Sequence, residues 1–127
     1  MTALVIFAHG SPIESANEAV RRFCTEVIRA GDFRVVASAF LERGQPDLPG
    51  AVSSAVLQGA TRVIIVPYFL TLGLHLQRDL PRIVDEIAST HPNVTFEVAP
   101  PLDGHPALVR IVLDRAAAFD RDSELAR

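Results

Sequence analysis

Val5-Ile6-Phe7-Ala8-His9-Gly10-Ser11-Pro12 is the stretch on which the reading turns. Its first half is an apolar run of β-formers, and its second half holds the small residues of a tight strand-to-helix turn. Between them stands a histidine, so an imidazole falls at the carboxyl end of a strand, where open α/β sheets carry their chemistry. A second run, Val63-Ile64-Ile65-Val66-Pro67-Tyr68-Phe69-Leu70, feeds a connection containing Gly73 and His75. Two imidazoles are thereby expected on neighbouring strand ends of one rim.

Outward from these runs, strands are predicted over Leu4 to Ala8, Arg34 to Phe40, Arg62 to Val66 and Thr95 to Ala99. Helices alternate with them. Ala16, Val20, Phe23, Cys24, Val27 and Ile28 recur at three- and four-residue steps, ending near Gly31. Val52, Ala55, Val56 and Ala60 mark a shorter helix opened by Pro49 and closed by Gly59. Leu76, Leu80, Ile83, Val84 and Ile87 mark a third, which Pro81 is expected to start near Arg78 or Asp79, because proline fits a first turn. The fourth begins near Pro106 and uses Leu108, Ile111, Val112, Arg115 and Phe119. Strict βα alternation predicts a single three-layer α/β domain over residues 1–120, flavodoxin-like, with a four-stranded parallel sheet covered by helices on both faces. Right-handed winding gives strand order 2-1-3-4. The charged tail, residues 121–127, is expected to fray.

Composition narrows the function. With 127 residues the chain has room for one domain whose core needs neither disulfides nor a structural metal. The single cysteine, Cys24, sits at an apolar helical position, which excludes intrachain disulfides and thiolate clusters. A net charge of -3, no basic run and no tryptophan argue against a nucleic-acid surface. No apolar run approaches the roughly 20 residues of a membrane span, and the first residues lack a basic signal region, so a soluble cytoplasmic protein is expected.

Order 2-1-3-4 sets the ends of strands two and three beside that of strand one, so His9, Glu42 and His75 are expected to converge. Two imidazoles and a carboxylate form an incomplete coordination set for a divalent first-row metal, with positions left for a reactant. Gly10, Ser11 and Gly73 offer turn amides, and Arg78 a charge, to an anionic ligand. His91 and His105 read as structural.

Ala8-His9-Gly10-Ser11, Ala39-Phe40-Leu41-Glu42 with Pro46, Val66-Pro67-Tyr68-Phe69-Leu70 leading to His75 and Arg78-Asp79-Leu80-Pro81, and Gly104-His105-Pro106 follow one another along the chain. In that order they resemble the short CbiX-type sirohydrochlorin chelatases. The resemblance implies a chelatase-like fold and a lyase that inserts Co²⁺, Fe²⁺ or in some members Ni²⁺ into sirohydrochlorin, towards cobalamin or siroheme. It implies His9 and His75 as the metal-site histidines with Glu42 as the neighbouring carboxylate, metal as substrate with no permanently bound cofactor, and a homodimer. Tyr68 stands where an aliphatic residue is common in that family. A non-catalytic carrier of metal or tetrapyrrole would use the same residues. A histidine phosphatase would show an arginine where Ala8 stands, and a receiver domain would need acidic residues after the first strand.

Overall fold

The computed structural model describes residues 1–120; the tail expected to fray, 121–127, lies outside the described residues. The elements are β1 (Thr2–Ala8), α1 (Glu14–Ala30), β2 (Val35–Phe40), α2 (Leu48–Leu57), β3 (Arg62–Pro67), α3 (Gly73–Ser89), β4 (Thr95–Val98) and α4 (Ala107–Ala117). All strand pairs are parallel and the order is β2-β1-β3-β4, as the alternation predicts.

β1 is buried along Ala3–Ala8 because it pairs on both edges and is covered on both faces. On one face Val5, Phe7, Ala39, Val63 and Ile65 meet Leu48, Val52 and Ala55 of α2 and Leu80, Val84 and Ile87 of α3. On the other, Leu4 and Ile6 meet Cys24, Val20, Phe23 and Val27 of α1. Alternation along β1 therefore sends successive side chains into two separate cores. Burial holds the Cys24 thiol above its usual range, since the thiolate would lose its hydration. A thiol reagent at pH 8 should accordingly label the folded protein at least tenfold more slowly than the urea-unfolded chain; equal rates would contradict this packing.

Two helices differ from expectation. α3 begins at Gly73, so Pro81 lies inside the helix rather than in its first turn, and His75 and Arg78 are helical rather than loop residues. Pro81 removes one backbone bond, a loss of about 3 kcal/mol. Extending the helix towards the amino end lays the partly buried Leu76 against the core beside Leu80, which returns at most about 3 kcal/mol. The connection after β3 is thereby shortened to residues 68–72. α4 forms where predicted, yet none of its residues is buried, and Val109 and Val112 are each 65% exposed. Its apolar residues find no core among the described residues, so the expected cover on that part of the sheet is incomplete there. No helix among the described residues is long and apolar enough to cross a membrane.

Candidate metal-binding site

The strand ends of β1 and β2 run on side by side past the sheet. Leu41 N–H donates to Ala8 O at 2.9 Å and Glu42 N–H to His9 O at 3.1 Å, so the ladder delivers His9 and Glu42 as neighbours. Gly10 makes that approach possible. Its φ is +93°, and a Cβ there would stand 1.6 Å from Glu42 O.

His9 Nδ1 lies 3.7 Å from Glu42 Oε1 and 3.3 Å from Gly10 O. Two donors sharing one cation at bonds of about 2.1 Å stand roughly 3.4 Å apart in a tetrahedral arrangement. The pair needs a shift of a few tenths of an ångström to chelate. Both side chains are more than half exposed, so an ion and a large reactant have access. Phe69, in the connection after β3, sets its ring edge-on to one side of His9 at 6.2 Å and in turn meets Phe7 at 6.0 Å.

The predicted convergence of three groups is reduced to this pair. No three His, Cys, Asp or Glu side chains among the described residues are grouped closely enough to hold a metal ion. His75 is exposed in the first turn of α3, which follows the carboxyl end of β3, and does not complete a three-donor group with the other two. Of the expected anion contacts, the Ser11 amide is already engaged, donating to Asn17 Oδ1 at 2.9 Å. Arg78 turns to Asp79, at 3.3 Å, which also takes Arg82. Gly73, at φ +73°, opens α3, and a Cβ there would meet nothing within 4 Å.

Sequence reasoning missed Asn17 and Arg21. Arg21 donates to Glu14 at 2.6 Å, to Glu18 at 3.1 Å and to Gln45 O at 3.2 Å, with its guanidinium 5.3 Å over the Phe40 ring. The Arg21 bond, supported by the Asn17 amide, holds the Glu14 carboxyl below the ordinary carboxylate range. α1 is thus pinned to the 41–47 connection. Asn17 had a legible signal, since it falls three and seven residues before Val20 and Cys24, on the buried stripe.

The fold is an open parallel sheet with an imidazole and a carboxylate exposed together at its carboxyl rim, the edge at which α/β proteins of this class bind their ligands. A sequence profile of the CbiX family matches residues 3–118. The chain belongs to the CbiX family. It is 37% identical over 91 residues to the sirohydrochlorin cobaltochelatase of Methanocaldococcus jannaschii, covering 72% of this chain and 64% of that protein. It is 30% identical to the sirohydrochlorin cobaltochelatase of Methanopyrus kandleri, covering 91% of this chain and 94% of that one. The structure of Bacillus subtilis SirB with Fe³⁺ superposes with a TM-score of 0.85 at 25% identity, over 94% of this chain but 47% of SirB. The chain therefore spans less than two thirds of the first relative's length and about half of SirB.

Proposed function

We propose that this protein is a sirohydrochlorin chelatase, inserting Co²⁺ or Fe²⁺, and by ligand chemistry also Ni²⁺, into the macrocycle. The observation that carries this is the exposed His9–Glu42 pair in a chain matched to the CbiX family from residue 3 to residue 118. Insertion of a divalent ion releases two pyrrolic protons, so a site needs metal donors that also accept protons. His9 and Glu42 meet both needs, and with only two donors they hold the ion loosely enough to release it. His75, on the same rim, is assigned to receiving the ion. Ile13, Leu41 and Leu70, exposed on connections at this rim, with Leu74 exposed in the first turn of α3, offer an apolar bed for the ring. Metal is substrate here, and no resident cofactor is assigned.

The test is to follow the absorption of sirohydrochlorin mixed with Co²⁺ or Fe²⁺, with and without protein. Acceleration over the spontaneous rate is expected; an unaltered rate with metal or tetrapyrrole bound would make the protein a carrier. His75→Ala should raise the half-saturating metal concentration about tenfold with a smaller change in maximal rate; an unchanged metal dependence removes His75 from the site.

The working form is proposed as a cytoplasmic homodimer with no nucleic-acid or membrane partner. SirB carries in one chain about twice the length present here. α4 is apolar on more than one side yet unburied, and a helix of that kind is ordinarily covered. An open groove of about 770 Å³ beside it is lined by Phe23, Val66, Tyr68, Pro101, Leu108 and Ile111, with no arginine or lysine. Such a lining suits a second copy's helix rather than a polycarboxylate ring. Sedimentation should give twice the single-chain mass, and Val109→Asp with Val112→Asp should halve it. A single-chain mass for the unmodified protein overturns the dimer.

A further inference from the structure

The one buried polar side chain in the described core is not in any assigned role. Asn17 is 1% exposed, in the first turns of α1. Its Oδ1 accepts from Ser11 N–H at 2.9 Å, and its Nδ2 donates to Ser11 O at 2.9 Å and to Arg43 O at 2.8 Å, with Glu14 Oε2 a longer third neighbour at 3.4 Å. Only one orientation of the amide satisfies one donor and two carbonyls, so the residue type is specified by its partners. Ser11 is two residues after His9, and Arg43 is the residue after Glu42. Arg43 itself is held at φ +53°, a left-handed conformation uncommon for a side chain of its kind, and Gly44 passes close enough that a Cβ there would come within 3.2 Å of Asn17 Nδ2.

We infer that Asn17 is a positioning residue: by clamping the backbone of the β1–α1 connection to that of the β2–α2 connection, it sets the separation of His9 and Glu42. The two site residues are exposed and make few contacts of their own, so their spacing is decided by the backbone beneath them. Two ladder bonds, from Leu41 and Glu42, close the gap on the strand side, and Asn17 closes it on the helix side. An aspartate at position 17 has the same shape but sets a second carboxylate oxygen against the Ser11 and Arg43 carbonyls, which would drive the connections apart.

The inference rests on the reading of His9 and Glu42 as the cation site, and its test separates the two. Co²⁺ alone is titrated into the protein and followed by its visible absorption, without tetrapyrrole. Asn17→Asp and Asn17→Ser should bind Co²⁺ about tenfold more weakly than the unmodified protein, whereas Ile87→Ala, a buried change under α3, should lower stability and leave Co²⁺ affinity within twofold. Unchanged affinity in the Asn17 variants, or equal weakening in Ile87→Ala, overturns the inference. Hydrogen exchange reads the same clamp with no metal present. The Leu41 and Glu42 amides should exchange at least tenfold faster in the Asn17 variants, with those of Val5 and Ile65 unaltered; retained protection at 41 and 42 overturns the inference even if the protein proves to bind no Co²⁺. Binding of Co²⁺ without accelerated insertion would instead overturn the proposed chelatase activity and leave the clamp standing.

Discussion

Replacing His9 by alanine should lower the rate of Co²⁺ insertion into sirohydrochlorin at least about 100-fold, in the range of losing a positioned proton acceptor and metal donor. The chain should stay folded. His9 is exposed, its Nδ1 contact to Gly10 O is a long 3.3 Å, and its removal opens no cavity in either core. A melting temperature within a few degrees of the unmodified protein is therefore expected, since exposed positions of this kind contribute about 0.5 kcal/mol or less. Glu42→Gln keeps the shape and removes the charge, and should cost about 10- to 100-fold. Steady-state rates with circular dichroism check both. Insertion by His9→Ala within threefold of the original would remove the assignment, and loss of the folded state would make His9 a structural residue instead.

Gly10→Ala should damage both stability and activity. A Cβ at this position would lie 1.6 Å from Glu42 O and 2.8 Å from its carbon, and both contacts are backbone, so neither can swing aside. The connections must part by more than an ångström, breaking the Glu42 N–H to His9 O bond and widening the His9–Glu42 pair. Left-handed strain of about 1–2 kcal/mol adds to an overpacking term of about 1–3 kcal/mol, for a loss of roughly 2–5 kcal/mol. Gly59→Ala separates the two contributions. Gly59 also has positive φ, at +103°, but a Cβ there meets nothing within 4 Å, so only the strain remains. Urea unfolding of the two variants gives the comparison, and Gly10→Ala proving as mild as Gly59→Ala would show that the close approach carries no weight.

His9, Glu42 and Asn17 show how far residue patterns reach. The histidine after an apolar run is visible because a strand ends where β-formers give way to small residues, and strand ends are where open sheets bind. Glu42 becomes its neighbour only through the order 2-1-3-4, which alternation and right-handed winding already dictate. Asn17 is not marked out by its type, because a polar residue in a first helical turn ordinarily faces solvent; its place on the stripe of Val20 and Cys24 is the available sign. Pro81 misled for the opposite reason. A local preference for first turns was outweighed by the packing of the partly buried Leu76 beside Leu80, which depends on how α3 lies on the sheet.

By itself the sequence determined the element types, the parallel sheet, its order and the rim on which His9 and Glu42 stand, because these follow from periodicity, turn chemistry and handedness, all local or nearly so. Tertiary structure alone decided which candidates meet. It kept His75 from completing a three-donor group with His9 and Glu42, took the Ser11 amide for Asn17, and left α4 without a core among the described residues. Each of those outcomes depends on distances of a few ångströms between segments remote in the chain, set by packing that no single segment encodes.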